Sequence, residues 1–467
     1  MHLVFVGRVI GNLLQPELEE LIRERKFNEL REILCEFPVM DLAEIFTDIS
    51  PGDEAVLLRI LPHKVAADVF DHLGLDDQEK MLHALGNEEV ALILNDLPPD
   101  DRTALLEEMP AAATQKLLNL LSAEERKIAV DLLGYPKDSI GRRMTPEYVA
   151  IQKNWTVQDV LAHLRKVGRE REMLNQMYVV DEHGHLVAMA RLRDVVVSDP
   201  STPVASMLIE EVFSLHATDD QEAAVTAFKK YDQTMLPVLN SQHILVGVVT
   251  VDDVLDVAEK ETTEDIQKMG GMEALDAPYL KIGLFSMIKK RAGWLAVLFV
   301  GEMLTATAMG YFESELEKAL VLSLFVPLII SSGGNSGSQA TSLVIRAMAV
   351  RDVRLRDWWK VMRREVMAGF SLGCVLALIG LMRILLWPNR EKVYGQHYVL
   401  VAITVASSLI GVVMFGSLAG AMLPFLLKRL GFDPAVSSAP FVATLVDVTG
   451  LIIYFSIAYQ ILHGTLL

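Results

Sequence analysis

Between residues 37 and 134 an apolar residue followed by a helix breaker or cap returns every twelve positions: Phe37-Pro38, Ile49-Ser50, Leu61-Pro62, Leu73-Gly74, Leu85-Gly86, Leu97-Pro98, Met109-Pro110, Leu121-Ser122 and Leu133-Gly134. Helix formers fill the intervals, with apolar residues at helical spacing such as Val65, Val69 and Leu73. Each unit therefore reads as a short helix and a turn. One such unit cannot bury its own apolar face, so the pattern predicts neighbours stacked into a superhelix.

The period changes after residue 140. MYVVDEHGHLVAMARLRDVV reads as strand, turn at Glu182-His183-Gly184, strand and helix start. MLPVLNSQHILVGVVTVDDVL repeats that order about sixty residues later. An amphipathic helix precedes each, VQDVLAHLRKV and QEAAVTAFKKY. Two β-α-β-β-α units of this kind resemble a tandem pair of CBS modules. A charged helix then runs from Val251 to Lys268 and breaks at Gly270-Gly271. Apolar stretches follow at 292–310, 319–345, 366–387, 398–427 and 435–462. At 1.5 Å per residue each can cross ~30 Å of hydrocarbon.

Composition agrees with a two-part molecule: 467 residues, 51% hydrophobic, mean hydropathy +0.32. The net charge of −18 is unevenly spread. Residues 1–280 carry 51 acids and 26 bases, and the remainder 10 acids and 17 bases. An acidic half of this kind repels nucleic acid and attracts cations, and carboxylates are the oxygen ligands that Mg²⁺ and Ca²⁺ prefer. Most of these acids need be no more than a solvated surface. Cys35 and Cys374 give neither a disulfide framework nor a zinc spacing. MHLVFVGRVIGNLL, residues 1–14, has a short apolar core broken by Arg8 and reads as a peripheral helix or a non-native start.

Basic residues set an orientation. Lys289, Lys290 and Arg291 precede the first span; Arg351, Arg354, Arg356, Lys360, Arg363 and Arg364 follow the second; Lys428 and Arg429 follow the fourth. The loop after the first span is acidic, with Glu313, Glu315 and Glu317. The positive-inside rule then places the N-terminal half in the cytosol and the C-terminus outside.

Asp447 lies inside the last apolar stretch. A carboxylate at that depth costs several kcal/mol or more unless it meets water or a partner. Ala443, Asp447 and Gly450 share one helix face, with small residues flanking the acid, as a pore wall with one charged ring would have. The competing reading is an acid hydrogen-bonded to a neighbouring helix. PLIISSGGNSGSQATS, residues 327–342, is small and polar at membrane depth. Asn335, Ser336, Ser338 and Gln339 offer neutral oxygens, or the segment is a close helix-packing surface, or both. A symmetric homodimer would bring two Asp447 side chains to a shared axis. Two carboxylates suit a divalent cation, and Mg²⁺, which sheds water reluctantly, would pass hydrated.

This order of acidic superhelix, tandem CBS pair, connecting helix and five spans resembles the MgtE-type magnesium channels of bacteria. The residues that carry the resemblance are SGGNSGSQ after Pro327, the terminal LVDVTGLIIYF, and VGVVTVDDVLDVAEKETTEDI. It implies a mixed fold: an all-α superhelical N domain (1–138), α/β CBS modules (139–200 and 201–258), a connecting helix (251–280) and a five-span α transmembrane pore domain (281–467). It further implies a homodimer in the inner membrane, with Mg²⁺ and the lipid bilayer as partners. Asp447 becomes the pore cation site and Asp433, in GFDP, an acid of the cytosolic mouth. Cytosolic sensing acids map onto Asp96 and Asp100 in the superhelix, onto Asp220, Glu222 and Asp232 in the second CBS unit, and onto Asp253, Asp256, Glu261, Glu264 and Asp265 in the connecting helix.

The residues themselves say less. Asp253, Asp256 and Glu264 recur near helical spacing, so like charges crowd one helix and repel other acidic surfaces unless cations intervene; a solvated face is the alternative. Gly247-Val-Val-Thr250-Val-Asp-Asp253 resembles the nucleotide-ribose signature of CBS modules, whereas the first unit has Ala188, Arg191 and Asp194 at those places. Thr250 and Asp253 therefore bind ATP as a regulator, or Thr250 simply caps a helix.

The function expected is a Mg²⁺-selective channel, not an enzyme, held closed by cytosolic Mg²⁺ bridging the acids of superhelix, CBS pair and connecting helix. Two alternatives are a proton- or Na⁺-coupled divalent-cation transporter and a membrane-anchored CBS nucleotide sensor without transport.

Overall fold

Pro, Gly or Ser at every twelfth position decides where the N-terminal helices begin. Pro38, Pro62, Pro98 and Pro110 hold extended backbone one residue ahead of a helix, where a missing N–H costs nothing. Ser122 instead accepts a hydrogen bond from the backbone N–H of Glu125. The computed structural model describes residues 17–466 apart from 19, 50, 169, 170, 172, 276–278, 281 and 314–318. The segment 1–14 and the acids Glu315 and Glu317 of the first extramembrane loop lie outside the described residues.

The superhelix comprises α1 (Phe27–Leu34), α2 (Val39–Asp48), α3 (Pro51–Ile60), α4 (His63–Asp71), α5 (Leu75–Ala84), α6 (Asn87–Asp96), α7 (Pro99–Glu108), α8 (Ala111–Leu118) and α9 (Ala123–Leu133). Helices pack on the next but one, α1 on α3, α2 on α4 and α3 on α5. The sequence period therefore persists in the core, where Leu34, Phe46, Leu58, Phe70, Leu94 and Leu106 are buried at multiples of twelve residues.

Two β-α-β-β-α units follow. The first is β1 (Ala150–Ile151), α10 (Val157–Val167), β2 (Gln176–Val180), β3 (Leu186–Arg191) and α11 (Leu192–Val197). The second is β4 (Leu215–His216), α12 (Gln221–Tyr231), β5 (Met235–Leu239), β6 (Leu245–Thr250) and α13 (Val251–Met269). In each sheet the short strand runs parallel to the middle one and the third is antiparallel. Tyr178, Met189, Met235, Leu239, Leu245 and Val248 form a core shared by both sheets.

The chain divides into two compact units at Ala258/Glu259. The second holds five helices long and apolar enough to cross a membrane. They are α14 (Leu284–Tyr311), α15 (Val326–Ala349, entered through the 3-10 turn Leu320–Phe325), α16 (Trp358–Leu385), α18 (Tyr398–Arg429) and α19 (Ala439–Leu462), with the short α17 (Arg390–Tyr394) between α16 and α18. Both α14 and α16 start several residues ahead of the apolar stretches. Helical hydrogen bonding continues through Lys289–Arg291 and Arg363–Arg364, whereas hydropathy marks only the hydrocarbon part.

Close backbone approach holds this bundle together. Gly333 and Gly337 of α15 lie against Gly416 and Gly420 of α18, and a Cβ on Gly337 would stand 2.7 Å from Val442. Ser336 and Ser417 share a 2.6 Å hydrogen bond, and Thr341 donates to the Gly420 carbonyl at 2.8 Å. In hydrocarbon the small residues replace the missing hydrophobic drive with contact area.

Candidate ion path and acidic control sites

Asp447 sits in the middle of α19 and is partly exposed on the surface of this unit. Gly334 of α15 and Ala443 of α19 are in contact, a Cβ on the glycine falling 3.5 Å from that of Ala443. The polar segment of α15 thus has two sides. Gly333, Ser336, Gly337, Ala340 and Thr341 are buried, while Ser331, Asn335 and Gln339, spaced by four residues, are exposed. Gly450 is buried, with Val412 of α18 3.1 Å from where its Cβ would stand, so it permits close packing. A further acid joins this region. Glu302 of α14 lies within electrostatic range of Asp447. An acid inside an apolar helix was the signal that singled out Asp447, and GEMLTATAMG carries the same signal.

A second group forms where the connecting helix α13 ends. Lys268 donates from Nζ to Glu264 at 2.5 Å and to Asp433 at 2.7 Å. Burial and the nearby Asp433 raise the pKa of Asp265, which Glu261 and Glu264 also face. Burial opposes the charge of Lys268, yet its hydrogen bonds to Asp433 and Glu264 raise its pKa overall. The fold therefore brings Glu261, Glu264, Asp265 and Asp433 to one place, around an ammonium group that sequence reasoning did not assign. Gly271 then turns the chain with φ +74°, and a Cβ there would stand 2.7 Å from the Trp294 indole nitrogen. That nitrogen donates to the Ser438 hydroxyl at 3.2 Å, and Ser438 caps α19 by accepting from Phe441. The end of the connecting helix is thus tied to the start of the helix that carries Asp447.

A third group lies in the first unit. Burial first, then Asp253, Asp68 and Asp256, push Asp71 up to about 6. Burial, Asp71, Asp252 and Asp256 push Asp101 up to about 7. Burial, Asp101 and Asp252 push Asp253 up to about 7, against the hydrogen bond from Thr250. The superhelix contributes Asp71 and Asp101 to this group. Asp100, also named from the sequence, is buried in the first turn of α7, and Asp96 is exposed at the end of α6. One residue of slippage along a helix turns a side chain by 100°, and a twelve-residue repeat offers no local mark of which acid faces outward.

Asp220 and Glu222 stand at the start of α12 and Asp232 at its end, in the left-handed region at φ 49°. Eleven residues of helix separate those ends by ~16 Å, so one ion cannot touch both within a protomer. Thr250 is fully buried and donates to Asp253 Oδ2 at 2.5 Å, a capping contact at the start of α13.

Among the described residues no three His, Cys, Asp or Glu side chains already enclose a common metal position. The three groups still offer carboxylate oxygens, some buried against one another. Such sets suit a hard divalent cation that keeps part of its water.

Family models match the chain in order: the MgtE intracellular N domain over 37–138, CBS domains over 138–199 and 204–260, and MgtE, a divalent cation transporter, over 326–457. Magnesium transporter MgtE of Thermus thermophilus is 40% identical over 456 residues, covering 97% of this chain and 99% of that protein. Two solved structures resemble the N-terminal part. The cytosolic domain of the Mg²⁺ channel MgtE in complex with ATP has 38% identity and a TM-score of 0.50 over 52% of this chain and 100% of its own. The soluble part of a magnesium transporter has 31% identity and a TM-score of 0.51 over 54% and 99%. With helical superhelix, paired CBS sheets and five apolar spans in the matching order, the chain belongs to the MgtE family of divalent cation transporters.

Proposed function

We propose that this protein conducts Mg²⁺ down its electrochemical gradient as a homodimeric channel of the bacterial inner membrane, and that cytosolic Mg²⁺ closes it. Relatives named magnesium transporters support the ion. The observation that carries the path is Asp447, partly exposed in the middle of α19 one turn from Ala443, which touches Gly334 of α15 next to the exposed Asn335. A second copy of this surface would enclose a polar path with two carboxylates. The N-terminal domains then face the cytosol and the C-terminus lies outside, the orientation that the positive-inside rule favours for the basic loops. An inside-negative potential favours entry of a divalent ion by about 4.6 kcal/mol per 100 mV, twice the single-charge value.

Unlimited entry needs a brake. Asp71, Asp101 and Asp253 repel one another when ionised, as do Glu264, Asp265 and Asp433 but for Lys268. Mg²⁺ bound among these acids would stabilise the arrangement in which α13 is held, and loss of Mg²⁺ would release it. Asp96, Asp100, Asp220, Glu222, Asp232, Asp256 and Glu261 extend this acidic set. ATP as a regulator at Thr250 and Asp253 draws support from the nucleotide-bound relative.

The test is Mg²⁺ uptake into proteoliposomes by wild type and Asp447→Ala with internal Mg²⁺ varied. Wild type conducts and shuts as internal Mg²⁺ rises; Asp447→Ala conducts at least ten-fold less. Unchanged flux in the variant overturns the path, and flux indifferent to internal Mg²⁺ overturns the brake. One observation favours a second reading: Glu302, within electrostatic range of Asp447, gives the membrane a second acid able to carry a proton. Uptake that follows an imposed pH gradient with Mg²⁺ at equilibrium would establish the coupled transporter instead.

A further inference from the structure

At the end of the membrane unit where α16 stops, a cavity of about 530 Å³ opens between α15, α16 and α18. Leu324, Leu328, Leu376, Ile379 and Leu409 line it, and Arg383 stands at its rim. The Arg383 guanidinium lies 3.4 Å over the Trp387 ring, and Trp387, Tyr394 and the hydroxyl-bearing Ser332 also line the cavity. A neighbouring pair repeats the motif, Arg390 lying 4.9 Å over Tyr398 while donating to the Leu385 carbonyl at 2.5 Å. Trp, Tyr and Arg together mark the level of lipid headgroups, and the cavity leads from that level toward the apolar interior. Its volume lies within the ~300–1,000 Å³ typical of ligand sites. A guanidinium fork matches phosphate oxygens, and its stacking on Trp387 holds the plane ready at little entropic cost.

We propose that this groove is a binding site for an anionic phospholipid, with an acyl chain along Leu328, Leu376 and Ile379 and the phosphate on Arg383. Charge complementarity at the rim and an apolar lining at membrane depth select a lipid rather than a free phosphate, which would leave the lining unfilled. The site stands on the membrane-spanning geometry and not on the transport reading. Arg383 is surface-exposed, so replacing it leaves the bundle intact.

The test is native mass spectrometry of the detergent-purified full chain titrated with phosphatidylglycerol or phosphatidylcholine. Wild type retains phosphatidylglycerol about three-fold more than phosphatidylcholine, the scale of a partly exposed charge contact. Arg383→Gln removes the preference and Arg383→Lys keeps part of it. Leu376→Phe, which fills the groove and spares the charge, lowers retention of both lipids. Equal retention by wild type, or a preference that survives Arg383→Gln, overturns the proposal, as does a second copy of the chain sealing the groove, which makes retention of both lipids indifferent to every variant.

Discussion

Lys268 Nζ stands 2.7 Å from Asp433 Oδ2, joining the last turn of the connecting helix to the segment that leads into the Asp447 helix. The same ammonium meets Glu264 at 2.5 Å. It is the positive charge set among Glu264, Asp265 and Asp433. The fold thus carries a tethered positive charge at the point where the proposed brake acts.

Lys268→Met keeps the stem and removes that charge. The acids then face one another unscreened, so the variant depends on Mg²⁺ where wild type depends less. Melting of the detergent-purified chain should fall by several degrees in chelator and recover when millimolar Mg²⁺ is added. A variant that melts as wild type does in both buffers excludes this role.

Asp71, Asp101 and Asp253 hold their protons up to about 6, 7 and 7, against an ordinary value of 3.8. A carboxyl that binds its proton more tightly when folded favours the folded state at low pH. That advantage is complete below about 3.8 and is lost as pH rises through 6 to 7. Without divalent ions, the melting temperature should therefore fall between pH 5 and 8. Mg²⁺ should flatten the profile, and so should Asp253→Asn, which removes one charge and keeps an acceptor for Thr250. A profile in chelator with no fall over that range counts against the cluster.

Gly271 at φ +74° is a position that L side chains rarely adopt. Gly271→Ala adds that strain of roughly 1–2 kcal/mol and presses on Trp294. Chemical denaturation should show the loss, and the Trp294–Ser438 hydrogen bond should weaken, visible as a red shift in tryptophan emission. Replacing Gly283, where a Cβ meets nothing within 4 Å, serves as the control and should cost less.

Gly337→Val drives a branched side chain into Val442 and the Gly416 backbone. Overpacking of this kind costs about 1–3 kcal/mol. Ser336→Ala, which breaks only the 2.6 Å bond to Ser417, should cost roughly 0.6 kcal/mol, the mean measured for hydrogen bonds between membrane helices. Steric-trap or SDS unfolding of the membrane unit ranks the two. The reverse order would show that polar contacts, not backbone approach, hold α15 to α18.

Local pattern was enough to read the architecture. A twelve-residue breaker period dictates short stacked helices, strand alternation around Gly184 dictates a hairpin, and five apolar runs dictate five spans. Each of these rules acts within one or two turns of chain, so the sequence states it directly. Asp447 was legible for the same reason, because an acid among apolar residues contrasts with its own neighbours. Asp71 and Asp101 of the first unit were not, although Asp253 and Asp256 were named. Asp71 and Asp101 lie in different helices and meet Asp253 from a third, so their raised proton affinity arises from burial and repulsion among residues as far as 185 positions apart. Lys268 against Asp433, 165 positions apart, and Glu302 against Asp447 are likewise juxtapositions that no periodicity encodes. The sequence by itself determined which elements form and where charge would be costly. Which charges neutralise or repel one another was decided only when packing brought distant helices together, because electrostatic energy depends on distance and burial and neither is a property of chain order.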